Sequence, residues 1–362
     1  MQRAPAQETA CGGVVDFDRI KTYFRAFWER DLVDRPLISV TSPLDDKLKP
    51  LPYLYGVASG HYREALERFA FNLEHTFYGG EALPYYECTL GPDQFAAFLG
   101  GTIEYSEEAG TSWVHPFWDD DYAESEVPRE LSRDGYFEKI LSFIRTTREL
   151  ADGRFLISML DIHSNLDAIM TARGSQNLCL DLADDPERVG RVLGRILPLF
   201  PQVVDAVAAA GDMDKNGYIG WIPAYSEKKY AVLQCDFSIM ISPEMCRRFV
   251  IPALEYEASC LSRNVYHYDG VGALAHLDEI LAIKAIDVIQ WVPGAGQPRT
   301  IEWMDLLKKI QKAGKGLWLY DWTPEEIKGR FKELDPRFLY FSTSTETPKD
   351  AEELINYVRT HM

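Results

Sequence analysis

The stretch NVYHYDGVGALAHLDEIL, residues 264–281, decides how the chain is read. Val265 and Tyr266 open an apolar strand, Gly270-Val271-Gly272 supplies a turn, and residues 273–283 repeat apolar side chains at helical spacing. A strand that hands over directly to a helix is the repeating unit of α/β architecture. Side chains alternate along a strand, so His267 and Asp269 share one face at its C-terminal end. Two groups able to hold a metal or a proton, on one face of an otherwise apolar strand, call for a functional explanation.

The same unit recurs along the chain. Strands are predicted at 36–43, 81–91, 153–165, 264–270, 286–294, 316–322 and 337–345, and the runs 216–223 and 231–238 share a fourth position. Helices fall between them. One covers 18–31, another 93–100, and a long apolar one runs over 185–211 with Pro186 near its start. A helix from 242 starts with Ser242 as N-cap and Pro243 at the first helical position, and Thr323-Pro324-Glu325 repeats that start signal. A further helix begins at Thr300 and stops at Gly314. Eight strand-helix units predict an α/β fold, a single (β/α)8 TIM barrel over 18–362, after a short flexible lead over 1–17. Residues 101–128 have no helical period and read as an irregular or hairpin excursion, either a cap on one barrel mouth or a packed surface insertion.

Length and charge bound the function. A chain of 362 residues with 46% hydrophobic content is ample for one barrel and its core. No run approaches the ~20 uninterrupted apolar residues that a membrane helix needs. A net charge of -18 sets the surface against nucleic acid and anionic membrane as partners. The first fifteen residues hold one arginine and no apolar signal region, and the six cysteines form no C-x-x-C pair. Both features predict a cytoplasmic, reduced setting.

In a barrel the chemistry sits at the C-terminal ends of the strands. Those ends carry Glu87, Cys88, Asp161, His163, Asn165, Trp221, Gln234, Asp236, His267, Asp269, Gln290, Trp291, Tyr320, Asp321, Ser344 and Glu346. Burying a carboxylate without a partner costs several kcal/mol or forces protonation, so converging acids need a metal, a cation or a proton-shuttling substrate. Imidazole and carboxylate are competent ligands for zinc and other divalent ions. His267 and Asp269 are the first candidates, with Glu346, Asp236 or His163 as the third ligand. Asp161 and Asp236 are the acid or base candidates beside His267 and Asp269, and Trp221, Gln234, Gln290, Trp291, Tyr320 and His163 would contact the substrate. Blander roles stand beside these. Asp161 could cap the next helix, His163 could be a hydrogen-bonded structural histidine, and His276 and Asp278 could face solvent or strut the barrel. The chain has no P-loop and no G-x-S-x-G elbow, and GVGALAHL is not G-x-G-x-x-G.

Five segments carry a family likeness: GPDQFAAFLGG (91–101), LCLDLADDPERVGRVL (178–193), CDFSIMISPEMCRRFVIPALEY (235–256), VYHYDGVGALAHLDEIL (265–281) and STSTETPKDAEELINYV (342–358). In order and spacing they resemble the uroporphyrinogen decarboxylase superfamily over roughly residues 18–360. That family includes the decarboxylase and barrel methyltransferases that work with corrinoid proteins. The resemblance implies a (β/α)8 barrel, and related barrels often dimerise, so a homodimer is an expectation. In the methyltransferase branch a zinc site binds a thiol substrate through His-x-Cys-Gly after the fifth strand and a cysteine after the eighth. His267 and Gly270 match that pattern, Asp269 stands in place of the cysteine, and no cysteine follows Cys260. The soft sulfur ligands are gone, and a His/Asp/Glu set is harder. The decarboxylase branch pairs an arginine-rich loop with its polycarboxylate substrate. Here that loop, residues 41–56, has two lysines, two aspartates and no arginine, the wrong charge for a porphyrinogen.

The resemblance therefore implies a methyltransferase that moves a methyl group between a small methylated substrate and a corrinoid on a partner protein, with zinc or another divalent metal at the site. A metal-free decarboxylase or lyase on a small substrate, and a non-catalytic binding barrel, stay open beside it.

Overall fold

The strand read from residues 264–270 is central to the sheet of this computed structural model, which describes residues 16–51, 62–106, 108, 110–131 and 135–362. Almost all of the 1–17 lead, Cys11 and residues 52–56 of the 41–56 loop lie outside the described residues. Among the described residues there are β1 (Leu37–Pro43), β2 (Thr76–Gly80), β3 (Tyr85–Tyr86), β4 (Ile103–Ser106), β5 (Thr111–Val114), β6 (Leu156–Ile157), β7 (Tyr230–Leu233), β8 (Arg263–Asp269), β9 (Val288–Val292), β10 (Gly316–Leu319) and β11 (Leu339–Ser344). A seven-stranded sheet runs β2-β1-β11-β10-β9-β8-β7, with every neighbouring pair parallel except β1 and β2. A second, parallel ladder joins β3 to β6. Single backbone bonds reach out from that ladder region, Glu81 N–H to Ile38 O at 2.9 Å and Met159 N–H to Ile219 O at 2.7 Å. β4 and β5 form an antiparallel hairpin inside 101–128. The result is a mixed α/β chain around a mostly parallel sheet, the arrangement of a TIM-barrel-like fold.

Eight of these strands, β1, β3, β6, β7, β8, β9, β10 and β11, fall on the eight positions read from the sequence. Two correspond only in part: 81–91 and 153–165 shrink to two paired residues each, because a ladder needs a partner at every step and hydrophobicity alone does not supply one. β2 was not foreseen. It ends in Gly79-Gly80, residues disfavoured in strands, and pairs antiparallel along β1. Its last glycine is required: Gly80 has φ +62, and a Cβ there would sit 2.1 Å from the Ile38 carbonyl oxygen. Gly80→Ala is expected to destabilise the fold by about 2 kcal/mol or more, read as a lowered midpoint in chemical denaturation.

The Ser242 and Thr323 start signals hold in detail, whereas the helix placed at Thr300 opens as a 3-10 turn over Thr300–Glu302 and becomes α-helical only from Met304. Ser242 accepts a bond from Met245 N–H at 3.2 Å, and Thr323 and Glu326 form a reciprocal capping box. The helix from Pro243 is not uniform. It carries a π-helical turn over Cys246–Val250 before Ile251–Ser259, and Pro252 has no N–H to give to the carbonyl four residues back. The run after β8 also differs from a plain helix, opening with a 3-10 turn over Val271–His276 before Leu277–Ala282. One helical run, Pro186–Gly211, is long and apolar enough to cross a membrane by composition, and half of that apolar window is buried inside the fold. Its inward face includes Val189, Val192, Val203 and Val207. Cys88, Cys179, Cys235, Cys246 and Cys260 are free thiols.

One charged cluster holds the first layer together. The Glu81 carboxylate is fully buried and takes two bonds from Arg35, at 2.7 and 2.8 Å, and one from Arg19 at 2.9 Å. It also accepts the Ile38 N–H at 3.3 Å. The helix Phe17–Glu29, the start of β1 and the segment after β2 are thereby fixed to one carboxylate.

Candidate functional site

Parallel strands present their C-terminal ends on one side of the sheet, and the polar residues of this chain gather there. On β8 the side chains of His267 and Asp269 alternate with the buried Tyr266 and Tyr268. His267 lies directly across from Gln290 of β9, and its Nδ1 is 2.6 Å from the Gln290 Oε1. An amide oxygen can only accept, so Nδ1 is the nitrogen that donates to it, and in the neutral ring the lone pair falls on Nε2. The Trp221 indole meets the His267 ring edge to face at 5.2 Å.

Beyond the end of β7, Gln234 donates to Asp161 Oδ1 at 3.0 Å, joining the β6 and β7 ends. Asp161 Oδ2 lies 3.2 Å from His163 Nε2, while His163 Nδ1 lies 3.8 Å from Asp167 and 3.9 Å from Asp236. Asp167 is fully buried and accepts the backbone N–H groups of Asp236 and Phe237, at 3.0 and 2.9 Å. It thereby caps the 3-10 turn Asp236–Met240 and sets where Asp236 points.

Two groups of metal-capable side chains result, His163–Asp167–Asp236 and Asp236–His267–Asp269, each with one ligand atom per residue within 4.8 Å of the others. Asp236 belongs to both. Its buried Oδ1 has no hydrogen-bond partner among the described residues, and neither has the buried indole N–H of Trp221. Burying polar atoms without partners is costly, so these two leave an acceptor and a donor for a bound species.

The charges follow from burial and crowding. Burial works against a charge on His163, but the Asp161 carboxylate, with Asp167 and Asp236 behind it, holds the imidazole up at about 10. Burial pushes the Asp167 carboxyl up, and Asp236 adds to the rise. Burial also raises Asp269, with His267 opposing and Asp236 assisting. Glu87, at the end of β3, is pushed up to about 7 by burial and by the Asp161 charge. The site is a crowd of carboxylates whose ion pairs run to one imidazolium.

Several expected residues stand elsewhere. Trp291 is fully buried on the opposite face of β9, packed on Tyr268 at 5.4 Å and Trp303 at 5.3 Å. The reason is alternation, since Gln290 and Trp291 are adjacent and cannot both face the site. Glu346 is exposed beyond β11 and belongs to neither metal-capable group. Asp321 turns away to the Thr300 N–H and hydroxyl. His276 is buried and bonded to the Ser238 carbonyl at 3.0 Å, while Asp278 is exposed and pairs with Lys309. Tyr320 is partly exposed, and burial, followed by the charges of Asp321 and Asp269, raises its pKa. Asp167 and Glu257 were not foreseen. The four-residue spacing of His163 and Asp167 was a usable signal for the first. A glutamate on an otherwise apolar helix face was the signal for the second.

No family model matches the chain, and no curated protein matches it. Among solved structures it is similar to a methyltransferase from Methanosarcina mazei, with a TM-score of 0.61 and 15% sequence identity over 95% of this chain and 98% of that one. At that identity the likeness establishes a shared fold over nearly the whole length of both chains.

Proposed function

We propose that the two parallel ladders close into one (β/α)8 barrel of the uroporphyrinogen decarboxylase-like type. At its strand ends it would move a methyl group between a small methylated substrate and a corrinoid held by a partner protein. The observation that carries this is the Asp236–His267–Asp269 group, with its unpartnered Asp236 oxygen and the His267 tautomer set by Gln290. These residues fit a divalent metal, zinc or another, because they supply one imidazole nitrogen and two carboxylates from neighbouring strand ends. Such an ion, when bound, acts as a Lewis acid toward a substrate heteroatom. Oxygen and nitrogen donors suit a methylated amine or ether better than a thiol. Trp221 against the His267 ring, and Tyr320 within reach of the Asp269 charge, favour a cationic methylated amine.

Elemental mass spectrometry of the dialysed protein tests the site, and methyl transfer from methylated amines to free reduced cobalamin tests the reaction. About one equivalent of a divalent metal per chain is expected. Gln290→Ala should weaken metal affinity by about 10–100-fold, since it frees the imidazole that Gln290 orients. A protein with neither metal nor methyl transfer would remove the proposal. One observation favours a second reading, a metal-free lyase: burial, with the Asp161 charge, pushes the Glu87 carboxyl up to about 7, suited to passing a proton at neutral pH. Carbon–carbon cleavage that survives chelation and changes through pH 7 would support it instead.

A further inference from the structure

The helix Ile251–Ser259 buries Ala253, Leu254 and Ala258, and Glu257 falls on that same inward face. Its residue exposure is 0%. Its side-chain hydrogen bonds come from neutral donors, the Ser164 hydroxyl at 2.6 Å and the Asn165 amide at 3.2 and 3.3 Å. Burial pushes its carboxyl up to about 8, against the effect of those bonds. An apolar side chain would fill this place at lower cost, so the acid needs a reason to be there.

The reason lies in what it holds. Ser164 and Asn165 form the junction between the end of β6 and the next helix, and Asn165 has φ +52, a left-handed backbone that L residues avoid. His163 stands just before this junction and Asp167 just after it. The Asn165 amide also donates to the Gln234 carbonyl at 2.9 Å, two residues before Asp236. Asp167 takes the N–H groups of Asp236 and Phe237, just beyond Gln234. One buried carboxylate, through one strained asparagine, therefore joins the β6 and β7 ends on either side of the site.

We infer that Glu257 is a positioning residue, acting through Asn165 to set Asp236 against His163 and His267. This rests on the proposed role of Asp236 as a metal ligand. The test uses the full chain and three variants: Glu257→Gln, Asn165→Ala and the double variant. Leu254→Ala, on the same buried helix face, is the control for lost stability alone. Zinc affinity by competition with a chromogenic chelator should fall about tenfold in Glu257→Gln, with no further fall in the double variant beyond Asn165→Ala. Amide hydrogen exchange at Asp236 and Phe237 should quicken about tenfold in Glu257→Gln, but not in Leu254→Ala beyond its change in global stability. Unchanged exchange and zinc affinity in a folded Glu257→Gln protein would overturn the inference. If the wild-type chain binds no zinc but exchange still responds, the positioning role stands and the metal ligand role of Asp236 falls.

Discussion

Glu81→Ala is expected to lower the stability of the chain by about 3–5 kcal/mol, the cost of stripping one partner from a buried ion pair. Arg35 is nearly as buried as Glu81, with side-chain exposures of 2% and 0%, and its guanidinium would lose the carboxylate that takes two of its hydrogen bonds, leaving the charge of Asp34, which forms no ion pair with it. The Ile38 N–H would lose its acceptor as well. Arg19 adds little, because it is 41% exposed and water screens its half of the contact. In a chain of 362 residues the loss corresponds to a fall of about 5 °C in thermal midpoint, measurable by circular dichroism. Glu81→Gln should fall between the two, since it keeps an acceptor for Ile38 N–H but not the charge. A change below about 1 kcal/mol in Glu81→Ala would show that water reaches Arg35 and that the cluster does not hold the helix to β1.

The largest functional effect is expected at His267. Under the proposed function, His267→Ala should abolish binding of a divalent metal and lower methyl transfer by at least about 100-fold, while leaving the thermal midpoint almost unchanged. The ring is half-buried at a strand end, and its described contacts are to the Gln290 amide and the Trp221 edge. Little of the core therefore depends on it. Asp236→Asn should behave alike for metal, because it replaces a carboxylate that borders both ligand groups. Metal content and initial rate should be measured on the same preparations. A variant that keeps its metal but loses activity would make His267 a proton-handling residue. One that keeps both would place the chemistry elsewhere, with Glu87 and Asp161 next in line.

Much of the molecule could be read from local spacing. The face shared by His267 and Asp269, the Ser242 and Thr323 caps and the glycine stop at 314 all depend on residues a few positions apart. The side chains of Gln290 and Trp291 obey the same rule. Trp291 could have been assigned to the outer face of β9 from its neighbour alone. Pairing could not be read this way: the short ladders of β3 and β6 and the antiparallel β2 depend on which segment lies alongside.

Backbone sterics and the periods of strand and helix act over one to four residues, so the sequence by itself determined the alternation of strands and helices and the polar character of the strand ends. The tertiary structure alone decided that Asp236, rather than Glu346, stands beside His267 and Asp269, and that Glu257 reaches Asn165 across 92 positions of chain. The physical reason is that burial and like-charge crowding are properties of closed distances. Those distances exist only once the sheet has brought separate strand ends together.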